Sequence, residues 1–198
     1  MSSHHIVRDE QEPALLLLTE NYPKELLGNL LEWSPTVIID AELARTIGDA
    51  TFKIDVVVGT ESKLKEAKEF LQAQEPVKYL SKNEDEETLL QVLYFLAAAN
   101  YRAVNILADI SSSSIDKIQP LLPKLTIVFY SHGYKWYFVK DAGFKKWLKA
   151  GQKIKLFDTG LLNDFKNLED NNGKLIVKED GQVELSVSIP GFWLGETI

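Results

Sequence analysis

Short apolar runs alternate with longer amphipathic ones along the first 130 residues. Residues 14–19, with the apolar run Ala14 to Leu18, read as a buried strand, and a helix follows through Leu26, Leu27, Leu30 and Leu31. Pro23 suits the first turn of that helix, where its missing N–H leaves no bond unmade. Residues 36–40 predict a second strand, then a short helix around Leu43 and Ile47 that Gly48 closes. Residues 54–59 predict a third strand. Leu64, Ala67 and Leu71 mark the buried side of the helix after it, with Lys63, Lys65, Glu66, Lys68 and Glu69 facing water. The same reading gives a strand at 77–80, a long buried helix at 84–99, a strand at 103–108, a short helix at 114–122 and a strand at 125–130.

Strand–helix alternation of this kind requires crossover connections. It predicts a parallel, doubly wound (Rossmann-like) α/β sheet with helices on both faces. Runs such as Val37-Ile38-Ile39 and Val56-Val57-Val58 are continuous rather than alternating, as strands covered on both faces should be. The character changes after Ser131-His132-Gly133, which reads as a turn. Residues 134–140 alternate like an exposed strand, and glycines then punctuate short runs at 153–157, 174–177, 183–189 and 192–194. The expected division is an α/β domain at 1–131 and a small antiparallel β domain at 132–198.

Composition narrows the function classes. The chain is 45% hydrophobic and 26% charged, as ordinary globular proteins are. Its net charge of −7 repels phosphate backbones and anionic lipid, so neither nucleic acid nor membrane is an expected partner. Cysteine is absent, which removes disulfides, thiolate metal sites and cysteine nucleophiles together. With no signal-peptide pattern or spanning apolar stretch, the expected location is the cytoplasm. His4 and His5 read as a frayed terminus rather than a metal site.

In open parallel sheets, ligands bind beyond the carboxyl ends of the strands. At those positions stand Asp40-Ala41-Glu42, Gly59-Thr60-Glu61-Ser62, Ser81 to Glu87 with Asp85 among four acids, and Asp109 before the serines Ser111 to Ser114. This acidic, hydroxylic rim has two readings. Carboxylates of this kind hold magnesium, with phosphates carried by the ion. Alternatively, the same residues cap the helices that follow, with Glu84, Asp85, Glu86 and Glu87 in a favourable first turn, and need no ligand. No Gly-x-Gly-x-x-Gly or P-loop is present. His132 reads as a turn residue rather than a catalytic base. Trp136, Trp147 and Trp193 read as core or interface residues of the tail.

The order of elements and several local phrases resemble the thiamine pyrophosphokinase family over residues 6–193. The phrases are Val37-Ile38-Ile39-Asp40-Ala41, Lys53-Ile54-Asp55-Val56-Val57-Val58-Gly59, Ala103-Val104-Asn105, and Lys-Trp-Leu-Lys-Ala-Gly at 146–151. The resemblance implies a β-sandwich as the second domain, ATP and magnesium as cofactors of an active member, thiamine or a related small molecule as ligand, and a homodimer. Three family signatures are altered here. Gly-Asp-Phe-Asp-Ser reads Gly59-Thr60-Glu61-Ser62-Lys63. Asp-x-Asp-Lys-Thr-Asp reads Asn83-Glu84-Asp85-Glu86-Glu87-Thr88, and Gly-x-Arg-x-Asp-His is replaced by residues 111–116. The stretch from Gly160 to Gly181 is also short for loops that grip a thiamine ring.

Carried over by position, the resemblance makes Asp85 and Glu61 the candidate catalytic and metal residues, and Asp40, Asp55 and Gly59 candidate cofactor contacts. Glu86 stands where the family has a lysine. A charge reversed near 4 Å is worth roughly 4 kcal/mol, about three decades in affinity. The expectation is therefore a non-catalytic binding or regulatory relative. The alternatives are an active thiamine diphosphokinase with magnesium rebuilt on Asp40, Asp55, Glu61 and Asp85, and an interaction protein that assembles through Phe192, Trp193 and Leu194.

Overall fold

A computed structural model of the chain describes residues 12–198, and the histidine pair at the amino terminus lies outside them. The chain divides into two compact units, the first running through Ile127 and the second beginning at Val128.

The first unit is built as the apolar runs dictate. Its strands are β1 (Ala14–Leu17), β2 (Val37–Asp40), β3 (Val56–Gly59), β4 (Lys78–Ser81) and β5 (Ala103–Leu107), all parallel, in the order β5-β1-β2-β3-β4. Every residue of β1 and β3 is buried, as continuous Leu and Val runs require. The helices are α1 (Lys24–Leu31), α2 (Ala44–Ile47), α3 (Glu61–Phe70), α4 (Thr88–Ala98) and α5 (Ser112–Ile118). Connections from β1 to β4 step one way along the sheet and the β4–β5 connection returns, so right-handed crossovers put α1–α3 on one face and α4 on the other. α3 lies against α2 and β3, and α4 against β3 and α5.

Of two local expectations, the closing of α2 at Gly48 holds and the start of the long helix is corrected. Gly48 closes α2 with a right-handed φ of −59°, not in the left-handed region. Its role is close approach, because a Cβ there would stand 2.7 Å from the Ala44 carbonyl oxygen and 2.9 Å from that of Phe70. The long helix starts at Thr88, so Glu84 to Glu87 lie in the turn before it rather than in its first turn. Residues 83–86 close a turn of their own there, the Asn83 N–H donating to Glu86 Oε2 at 2.7 Å and the Glu86 N–H to the Asn83 carbonyl at 3.2 Å.

The second unit carries β6 (Thr126–Ser131), β7 (Tyr134–Val139), β8 (Gly143–Leu148), β9 (Lys153–Leu156), β10 (Leu162–Lys166), β11 (Leu168–Asn171), β12 (Lys174–Val177), β13 (Gly181–Val187) and β14 (Phe192–Thr197). Their pairings with one another are antiparallel, in the orders β11-β12-β9-β14-β7-β6 and β10-β13-β8. One apolar core joins the two sheets, with Phe144, Leu148, Val183 and Leu185 from one and Ile154, Leu156, Leu175, Phe192 and Leu194 from the other. His132 and Gly133 turn β6 into β7 with φ of 50° and 78°. Trp136 and Trp193 are buried while Trp147 is 59% exposed. Phe192, Trp193 and Leu194 are no more than 5% exposed within the single chain, so the expected assembly patch is core. Among the described residues no helix is long and apolar enough to cross a membrane.

Candidate functional site

β4 ends at the edge of the sheet and α4 packs on β3, so residues 82–87 run back over the carboxyl ends of the strands. A cleft of about 550 Å³ opens under that crossing. Its walls come from Asp40 and Glu42 after β2, from Gly59, Thr60, Ser62 and Lys63 at the β3–α3 turn, and from Lys82, Glu84, Glu86, Glu87 and Thr88 on the crossing segment.

The groups in this cleft are already engaged. Asp40 Oδ1 accepts from the Glu42 N–H at 2.9 Å and caps the 3-10 turn Ala41–Leu43, while Oδ2 accepts from the Thr88 hydroxyl at the start of α4. Lys82 Nζ donates to the carbonyl oxygens of Glu86 at 2.7 Å and Asn83 at 3.3 Å. Glu87 pairs with Lys117 of α5, and Lys63 sits 3.7 Å from Glu66 one turn on. The Thr60 and Ser62 hydroxyls meet at 3.1 Å. Gly59 is fixed by packing, since a Cβ on it would stand 2.5 Å from the Ala41 Cβ.

The five residues singled out from the sequence do not converge. Asp40 and Gly59 line the cleft. Glu61 and Asp85 are exposed beside it and do not line it. Asp55 stands before β3, at the other end of the sheet, where its Oδ2 accepts from the Val37 N–H at 2.8 Å. At about 3.3 Å per strand residue it lies about 13 Å from Gly59. The four-carboxylate set of Asp40, Asp55, Glu61 and Asp85 therefore cannot close on one ion. Among the described residues, no three His, Asp or Glu side chains come together as metal ligands. Magnesium needs only one or two carboxylates beside water and substrate phosphates, and Asp40, Glu42, Glu84, Glu86 and Glu87 are the cleft residues that would hold it.

Sequence reasoning missed Lys63 and Lys82, the two cations of the cleft. Their signal was available: each lies within four residues of the carboxyl end of a parallel strand. His132, by contrast, is an exposed turn residue, its Nδ1 2.8 Å from the Ser131 hydroxyl.

Ionisation is most perturbed at two tyrosines. Burial, then the hydrogen bond and charge of Glu196, push the Tyr137 hydroxyl far up. Glu196 is held in turn by Lys146 at 2.6 and 2.8 Å. Burial and Glu75 push Tyr79 up to about 12.

No protein-family model matches the chain, and no curated protein matches it in sequence. Solved structures do match its fold. Thiamin pyrophosphokinase from Candida albicans aligns with a TM-score of 0.67 at 13% identity, over 96% of this chain and 90% of that one. The yeast thiamin pyrophosphokinase gives 0.68 at 9% identity, over 98% and 88%. The thiamin pyrophosphokinase of Geobacillus thermodenitrificans gives 0.61 at 10% identity, over 93% and 97%. The chain thus has the thiamin pyrophosphokinase fold, an α/β fold whose strands pair both parallel and antiparallel.

Proposed function

We propose that this chain is a divergent thiamin pyrophosphokinase-like protein that has kept the frame without efficient pyrophosphoryl transfer, and that it acts as a binding or regulatory subunit. The observation that carries the reading is the charge of the cleft. Asp40, Glu42, Glu84, Glu86 and Glu87 face Lys63 and Lys82 there, and Lys82 is already bound to backbone carbonyls. Moving a pyrophosphoryl group from ATP to a hydroxyl needs cations or metal around the phosphates. Here five carboxylates face two cations, and among the described residues no three of the carboxylates cluster.

On this reading residues 1–131 are a nucleotide-binding-like domain and residues 132–198 a thiamine-binding-like β-sandwich. The protein works as a cytoplasmic homodimer, with thiamine or a related heteroaromatic as its ligand. The test is a transfer assay on the full chain with ATP, magnesium and thiamine. The expected result is no thiamine diphosphate above background; turnover near the roughly 1–10³ s⁻¹ of ordinary enzymes contradicts it.

A second reading draws on Lys63, Lys82 and the hydroxyls of Thr60 and Ser62 sharing one cleft. These are phosphate-binding groups, and they favour an active thiamine diphosphokinase with a rebuilt magnesium site. That reading requires Asp85→Ala to abolish magnesium-dependent product formation in the same assay.

A further inference from the structure

A second cavity, of about 560 Å³, opens at the amino end of the same sheet. Small-molecule pockets run from about 300 to 1,000 Å³. Sheet register builds it. Asp55 N–H donates to the Val37 carbonyl at 3.0 Å and Lys78 N–H to the Asp55 carbonyl at 2.9 Å, so three parallel segments bring these residues side by side. Aromatic walls come from Phe52, Phe95 at the α4 side, and Tyr101, whose hydroxyl meets that of Thr36 at 2.8 Å.

The polar groups of this cavity are kept apart in a way that folding alone does not require. Lys78 lays its ammonium 4.6 Å from the centre of the Phe95 ring and, among the described residues, has no carboxylate within ion-pair distance. Asp55 uses Oδ2 on the Val37 N–H, and among the described residues its other oxygen takes no protein donor. Both charges line one cavity without pairing, although the two residues are bonded through their backbones. A solvated aromatic wall flanked by an unmatched cation and an unmatched acceptor is complementary to a flat ring with an anionic group at one edge and an N–H at the other. Burying such a ring recovers apolar area, the ammonium meets the anion, and the carboxylate accepts from the N–H.

We propose that this amino-end cavity is a small-molecule site for a planar aromatic anion bearing a ring N–H, distinct from the cleft at the carboxyl ends of the strands. Indole-3-acetate is the simplest probe with all three features, and 3-methylindole is its uncharged counterpart. Titration of the full chain, followed by amide resonances, is expected to shift residues 52–55, 78, 95 and 101 saturably with indole-3-acetate. The uncharged analogue is expected to bind at least about fivefold more weakly. Lys78→Glu, on an exposed edge-strand residue, is expected to weaken indole-3-acetate at least about tenfold. Lys82→Glu, in the other cleft, is expected to leave it unchanged. Shifts confined to residues 59–63 and 82–89, equal binding by Lys78→Glu, or no saturation by about 10 mM overturns the proposal.

Discussion

Gly59 and Asp40 hold the turn beyond β2 and β3 together with no ligand present. Gly59→Ala sets a methyl group 2.5 Å from the Ala41 Cβ, and the backbone must shift. The expected loss is about 1–3 kcal/mol in urea unfolding. Asp40→Ala removes the turn cap and the Thr88 tether together, for an expected loss of about 1–2 kcal/mol by the same measurement, with or without nucleotide. Tyr137 gives a test in pH. Its folded pKa is raised above the unfolded value of 10.0, so its contribution is fully present below pH 10 and is lost as pH rises beyond it. One proton linked in this way changes stability by at most about 1.4 kcal/mol per pH unit. Urea midpoints are expected to fall above pH 10, and the fall is expected to be shallower in Tyr137→Phe.

Elements were legible where burial is continuous and hidden where a distant partner decides. β1, β2 and β3 show in the sequence as the continuous Leu, Val and Ile runs of a sheet covered on both faces. β8 was missed because Lys146 interrupts its inward face between Phe144 and Leu148. What makes that lysine tolerable is Glu196 on β14, fifty residues away and in the other sheet, and no local pattern reports it. β10 carries Asn163 and Asp164 across a register shift, and β11 buries only Leu168, so neither alternates as an isolated strand should. The start of α4 was misplaced for the opposite reason. Four consecutive acids fit a first helical turn, yet the Asn83–Glu86 bonds close a turn of their own. At this scale, Lys146→Met is expected to cost about 1–2 kcal/mol by leaving Glu196 without its cation. Adding Glu196→Gln to that variant is expected to recover part of the loss, which a double-mutant cycle in urea unfolding reads directly.

For the molecule as a whole, charge is unevenly shared. Through Ile127 the chain carries 12 Lys and Arg against 20 Asp and Glu, and from Val128 it carries 10 against 9. The unit that a nucleotide would visit is thus the acidic one, and its cleft repeats the imbalance. The frame was readable because it rests on periodicity. The candidate site was only partly readable, because residue order says which strand end a carboxylate follows but not where its side chain stands. Asp55 illustrates this: it belongs to a phrase resembling the family, and it sits at the far end of the strand from the glycine in the same phrase. The central claim is that the fold persists without the metal-dependent phosphate chemistry. Calorimetric titration of the full chain with ATP, with and without magnesium, tests it most directly. The account predicts no magnesium-dependent heat of binding; saturable binding that requires magnesium and is lost in Asp85→Ala contradicts it.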